Sequence, residues 1–313
     1  MSARAIVTAS RRRLEPAPHD RLNLAAMQAQ RVGRRFHPFQ FGASILDRSS
    51  WPNPGAIPAD GWAGVPAAFR ANKALPPPWD ALFGPLQAGA ADGLVVIGQI
   101  GQSIDGRIAT EGGRREFING SEGLAHLHRL RALVDAVVIG IGTALADDPQ
   151  LTVRRVTGPN PARVVIDRRG RLPATARLLA DDGVRRLVVT ETGVIPNWPS
   201  GVEHLPLAAE DGRIAPAAIL AALAGHGFRR LLIEGGAETL SRFLAAECLD
   251  RLHVVVAPII LGSGRPGCTL ATIAHADQAI RPRVRSCPLG DEVLFDCDLS
   301  LQRRPIGRAK KST

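Results

Sequence analysis

Two carboxylates, a pair of adjacent glycines and a few arginines are the residues of this 313-residue chain whose types and spacing suit chemistry. Asp105 and Glu234 each follow a short apolar run. A carboxyl group partly buried there can hold a raised pKa and give or take a proton. A plain hydrogen bond to neighbouring backbone N–H groups is the alternative, and both stay open at this level. Glu234 opens the segment Glu234-Gly235-Gly236-Ala237-Glu238-Thr239, which precedes a helical pattern. Two glycines there let backbone N–H groups approach a phosphate, and a helix N-terminus favours negative charge. A tight turn with no ligand would use the same glycines equally well.

A second cluster runs from Gly140 through Gly142 and Thr143 to Asp147-Asp148-Pro149. Its glycines permit close backbone approach and Thr143 offers a hydroxyl. The adjacent aspartates lack a third ligand and fit a turn or cap better than a metal site. A third cluster, residues 98–108, holds Gly101 and Asp105. Neither a G-x-G-x-x-G nor a Walker A spacing nor a nucleophile elbow is present. His126 and His128 read as ordinary helix residues.

Elements that could bring these clusters together are visible in the apolar pattern. Runs at 94–97, 136–139, 163–166, 187–189, 231–233 and 254–256 are bounded by Gly, Pro or Asp, as strands buried on both faces are. Leu124, Leu127, Leu130 and Val134 fall at helical spacing in 121–134, with Ser121 as N-cap. Segments 217–228 and 237–246 also read as helices. Strands alternating with helices specify an α/β sheet covered on both faces. Such sheets bind ligands outside the carboxyl ends of their strands, where all three clusters lie.

The rest of the chain bounds the function. Residues 1–92 are rich in proline and hold Trp51, Trp62 and Trp79. Proline at that density predicts an irregular arm, its aromatics packed on the main domain or a partner subunit, with one helix near 22–32. The domain itself is expected over 93–298, followed by a basic tail at 299–313. Much of the +10 net charge sits at the two ends. No aromatic-interleaved patch accompanies it, so a phosphorylated substrate and cofactor are expected rather than specific nucleic acid. Cys248, Cys268, Cys287 and Cys297 form no C-x-x-C pair and read as isolated thiols of a reducing cytoplasm. No apolar run is long enough for a membrane span, and no continuous apolar stretch follows the N-terminal arginines as a signal peptide would need.

Seven blocks in order resemble the reductase domain of the riboflavin-biosynthesis deaminase/reductase family. They are 103–109, Leu130-Arg131-Ala132 with Asp135-Ala136, Gly142-Thr143 through Asp147-Asp148-Pro149, 151–154, 161–167, Ile233-Glu234-Gly235-Gly236, and 257–262. The resemblance implies a dihydrofolate-reductase-like fold with a mixed, mostly parallel sheet, usually a homodimer. It implies reduction of a ribosylamino-pyrimidine phosphate, 5-amino-6-(5-phosphoribosylamino)uracil, to its ribitylamino form. NADPH would deliver hydride to the sugar C1′. The same fold also allows a reductase of another pyrimidine, pteridine, carbonyl or imine compound.

By matching position, Gly101, Gly142, Thr143, Asp147 and the Gly235, Gly236, Ala237, Glu238, Thr239 turn would line the cofactor. Arg168, standing where relatives have serine, would meet its 2′-phosphate. Arg115, Arg131, Leu151, Arg154 and Glu234 would face the substrate, and Asp105 and Glu234 would act on the imine nitrogen. Arg115 and Phe117 replace a serine and a tryptophan of bacterial members, and Gln99 replaces a lysine. No cysteine precedes Cys248, so the zinc deaminase that precedes the fused enzymes is not expected in these residues.

Overall fold

Residues 57, 60–90, 92–112 and 118–306 are described in the computed structural model. A short apolar run, residues 94–98, builds the centre. Val95–Ser103 forms β1, whose first six residues are buried, between β7 (Arg230–Glu234) and β8 (Arg251–Ala257), parallel to both. Beyond β7 follow β3 (Ala136–Gly140), β4 (Ala162–Ile166), β5 (Arg186–Glu191) and β6 (Val202–Leu207), all parallel. On the other side, β11 (Glu292–Asp298) pairs antiparallel with β8 and β10 (Arg283–Leu289) antiparallel with β11. The sheet order is β10-β11-β8-β1-β7-β3-β4-β5-β6. A short ribbon of β2 (Arg107–Thr110) and β9 (Gly264–Pro266) stands apart.

Alternation along each strand splits the core in two. Val95, Ile97, Val137, Ile139 and Leu232 face a cluster that holds α1 (Val65–Arg70), α2 (Trp79–Ala88) and α3 (Ser121–Leu133). Leu94, Val96, Val138, Leu231 and Ile233 face α5 (Pro216–Gly225) and α6 (Ala237–Ala245). The expected α/β class, a mostly parallel mixed sheet with helices on both faces, is therefore the one found. All six expected strands are present.

Several expectations need correction. The arm is not irregular where it is described. Residues 65–70 and 79–88 are helical, with Pro66 in the first turn, where its missing N–H costs nothing. Trp62, Phe69, Trp79, Leu82, Phe83 and Leu86 are buried in the core. Trp51 and the helix expected at 22–32 lie outside the described residues. The basic tail also packs: Leu299 is buried, and Arg303 pairs with Asp92 and Asp250.

The N-cap of α3 is Gly120, not Ser121. Its cap comes from across the sheet: the buried Glu292 accepts hydrogen bonds from the Gly120 N–H at 3.0 Å and the Gly123 N–H at 2.8 Å. A carboxylate at that position also complements the helix dipole. A Cβ on Gly123 would lie 2.4 Å from Glu292 Oε2, so the cap requires glycine there.

Candidate active site

Parallel pairing brings the carboxyl ends of β3, β4 and β7 to one edge, with Gly140, Ile166 and Glu234 as their last residues. α6 begins there with no side chain capping its first turn, so its N–H groups are open to an anion. Gly235 and Gly236 have φ of +68° and +48°, and a Cβ on Gly236 would lie 2.7 Å from Thr143 Oγ1. A Cβ on Gly140 would lie 2.2 Å from Thr239 Oγ1. The two glycine clusters read from the sequence are thus a single interlocked structure.

Beside it opens a cleft of about 480 Å³. Its lining includes Gly142, Arg168, Glu238 and Thr239, with Arg169, Arg171, Arg213 and Arg242 in addition. Five guanidinium groups against the single carboxylate of Glu238 make the cleft strongly cationic. Arg168 is held by Glu191 from the end of β5. Ala237 starts α6, and Asp147 ends α4 (Ile141–Asp147) outside this lining.

Gly101 has a different neighbour. A Cβ there would lie 1.5 Å from Asn119 Oδ1, so the glycine makes room for Asn119. Asn119 in turn donates to Glu292 Oε1 at 2.7 Å and to the Val255 carbonyl at 3.3 Å.

On the opposite side of Glu234 lies an arginine loop. Arg131, in the last turn of α3, donates from Nε to Glu234 Oε2 at 2.9 Å and from Nη2 to Oε1, while Nη1 reaches the Thr152 carbonyl at 2.9 Å. Arg131 and Glu234 are both buried. Removing one partner of such a pair would strand the other charge at a cost of about 3–5 kcal/mol.

The loop is pinned at four further points. Asn160 Oδ1 accepts the Val153 N–H at 2.7 Å. His128 Nδ1 accepts the Arg154 N–H at 2.8 Å and, more weakly, the Arg155 N–H at 3.4 Å. Asp148 Oδ1 accepts the Arg177 N–H at 2.8 Å. Leu151 is buried with φ of +56°, a conformation costly for a non-glycine residue and held by these anchors. The exposed Arg154 has its pKa lowered by burial, then by Arg131, Arg177 and Arg155, with Glu234 opposing. These four arginines form a second cationic centre.

Of the residues expected at the substrate, Arg131, Leu151, Arg154 and Glu234 come together. Arg115 lies outside the described residues. Asp105, expected to give or take a proton or to bond neighbouring N–H groups, does make such bonds. Its carboxylate accepts from Ser103 Oγ at 2.6 Å, Leu261 N–H at 3.1 Å and Gly262 N–H at 2.7 Å. Those bonds, Ser103 first, lower its pKa to about 2, so it is ionised and pins the 261–262 turn.

Sequence reasoning missed His128, Asn119, Arg177 and Glu292. His128 alone had a local signal, its three-residue spacing from Arg131 on one helix face. His128 is also corrected from an ordinary helix residue to a buried anchor.

Similarity to known proteins agrees with this geometry. Residues 95–286 match the RibD C-terminal domain family. The chain is 37% identical over 213 residues, 64% of its length and 96% of the relative's, to the 2,5-diamino-6-ribosylamino-4(3H)-pyrimidinone 5′-phosphate reductase of Methanothermobacter thermautotrophicus. Its structure resembles RibD of Acinetobacter baumannii with a TM-score of 0.59 and 28% identity, over 70% of this chain and 62% of that one. It also resembles the diaminohydroxyphosphoribosylaminopyrimidine deaminase/5-amino-6-(5-phosphoribosylamino)uracil reductase of Thermotoga maritima, with a TM-score of 0.56, 28% identity, and coverage of 66% and 56%. These matches place the chain in a class, the reductases of the riboflavin pathway. This chain belongs to the RibD C-terminal domain family.

The His128 anchor yields a pH prediction. Burial, then Arg131, Arg154 and Arg155, depresses its pKa from 6.5 to about 3, so the folded imidazole is neutral with its proton on Nε2. Below pH 6.5 the unfolded chain binds a proton that the native state refuses. The stabilisation is therefore full above pH 6.5 and declines as pH falls toward 3. His128→Asn keeps an acceptor at the Nδ1 position and does not titrate. Urea denaturation from pH 8 to 4 is expected to show a shallower acid-side decline for that variant; parallel curves would contradict the assignment.

Proposed function

We propose that the chain reduces a ribosylamino-pyrimidine 5′-phosphate to its ribitylamino product with NADPH. The observation that carries this reading is the pair of cationic centres on either side of Glu234: an arginine cleft at an uncapped helix N-terminus, and an arginine loop. One suits a dinucleotide phosphate and the other a sugar phosphate. The close approach of Gly140, Gly235 and Gly236 to threonine hydroxyls, which a Cβ would obstruct, suits a pyrophosphate lying on backbone N–H groups. Bound NADPH supplies the hydride.

This chain's residues do the rest. The ring-opened sugar would present C1′ doubly bonded to nitrogen; with hydride to C1′ and a proton from water to the nitrogen, the double bond would become single. Arg154 holds the 5′-phosphate and Arg131 holds Glu234 as an acceptor aimed at the pyrimidine end. The barrier is lowered by orientation and charge placement. Arg168 and its neighbours select the 2′-phosphate of NADPH over NADH.

The relative matched over nearly its whole length is named for the 2,5-diamino pyrimidinone, and the Thermotoga protein for the deaminated uracil. Both compounds therefore belong in the test. NADPH oxidation followed at the nicotinamide absorbance is expected with at least one of them. Arg168→Ala is expected to weaken NADPH binding about 10-fold or more and leave NADH unchanged, as for a lost charge-assisted hydrogen bond. No turnover of either compound would refute the reading; turnover of only a pteridine or simple carbonyl would move the substrate.

The antiparallel hairpin supports a homodimer. With β8 it has an inner face where the buried Arg251, His253, Asp296, Arg285 and Glu292 sit beside Val255, Cys287, Leu289 and Leu294, and another face that carries Val254, Val256, Val284, Pro288, Val293 and Phe295. Val284 is 48% exposed and Phe295 37%. A second copy covering that apolar outer face would take it out of water. Sedimentation of the wild type as a dimer, with Phe295→Glu shifted toward monomer, is expected; a wild-type monomer at micromolar concentration would contradict it.

A further inference from the structure

The arginine loop has an anchor outside the family's matched region. Residues 57–90 precede the match at 95–286. From this segment Trp62, 5% exposed, donates its indole Nε1–H to the Thr157 carbonyl at 2.7 Å. Residues 154, 155 and 157–160 are otherwise exposed. The inner half of the loop hangs from α3 through Arg131 and His128. Its outer half rests against the segment before the domain: a Cβ on Gly158 would lie 2.5 Å from Ala132 Cβ and 3.6 Å from Pro66 Cγ.

Trp62 is itself rigidly set. Its ring meets Trp79 edge-on with centroids 5.3 Å apart, and Arg129 of α3 lies 5.1 Å from the Trp79 ring and 6.0 Å from that of Trp62. Arg70 of α1 donates to the Ala132 carbonyl at 3.2 Å, beside Arg131. The indole is thus tied to the same helix that carries Arg131 and His128. An exposed loop held at one end samples many arrangements of its arginines; held at both ends, it samples few.

We infer that Trp62 is a positioning residue for phosphate recognition: through the Thr157 carbonyl it fixes the loop that presents Arg154 and Arg155. The segment before the domain then works as part of the substrate site rather than as an appendage. This rests on the reading of the arginine loop as the phosphate site.

The test uses ribose 5-phosphate and ribose as probes, by calorimetry, on the full chain. Wild type is expected to bind the phosphorylated sugar more tightly. Trp62→Phe retains the packing and loses the N–H, and is expected to weaken ribose 5-phosphate about threefold to tenfold. Its affinity for ribose and for NADPH should not change. Trp62→His, whose Nε2 can overlay the indole nitrogen, is expected to recover affinity relative to Trp62→Phe. Trp79→Phe, an equally buried change without a bond to the loop, should lower Tm without altering the preference for the phosphate.

Equal loss in Trp62→Phe and Trp79→Phe, or no loss in Trp62→Phe, would overturn the inference. So would a wild type that does not distinguish ribose 5-phosphate from ribose. Wild type that binds ribose 5-phosphate as expected but reduces neither pyrimidine would defeat the proposed reaction and leave the role of Trp62 intact.

Discussion

Arg131 and Glu234 hold each other through two hydrogen bonds in a buried position, and most of the site's geometry descends from that pair. Arg131 belongs to α3 and Glu234 to the end of β7, so the pair fixes a helix against the sheet edge. The remaining Arg131 nitrogen grips the Thr152 carbonyl and so starts the arginine loop. One residue beyond Glu234 begins the glycine turn into α6. Arginine loop and glycine turn are therefore built outward from opposite ends of one ion pair. Desolvating both charges is costly, and only mutual pairing with good geometry offsets it.

The same economy of buried charge recurs beneath the hairpin. Asp296 is fully buried; burial pushes its pKa up, but His253, Arg251 and Arg285 outweigh that and hold it well below the usual carboxylate range. His253 passes the contact to His126 at 2.9 Å, and His126 is kept neutral by burial and by the neighbouring His253 and Arg129. His126 stacks on Phe83 of α2. A polar chain thus runs from the hairpin to the helices before the domain, with Glu292 capping α3 on the way. These contacts orient α3, and α3 orients Arg131, His128 and the loop.

The strands most visible in the sequence were those that the fold buries on both faces. Runs such as 136–139 and 231–233 carry only apolar groups, so tertiary context had nothing to override. β6, β10 and β11 were not legible because polar side chains interrupt them: Glu203 and His204 in β6, and in the hairpin Arg285, Glu292 and Asp296, which are buried and paired. Glycine turns and Glu234 were visible because close approach and buried acids leave local marks. Asp105 carried the same local mark, but its bonds to the turn at 261–262 were not legible, since those partners are 156 and 157 residues away. Trp62 and Glu292 gave no local sign of their contacts, because the partners, Thr157 for Trp62 and Asn119, Gly120 and Gly123 for Glu292, lie far away in sequence.

The central claim is that Arg131 and Glu234 act as one unit. A double-mutant cycle with Arg131→Gln, Glu234→Gln and the combined variant, read in single-turnover NADPH oxidation, tests it most directly. The account predicts that the combined variant is no slower than the worse single variant, because either change already dismantles the pair. Independent effects that multiply in the combined variant would contradict it.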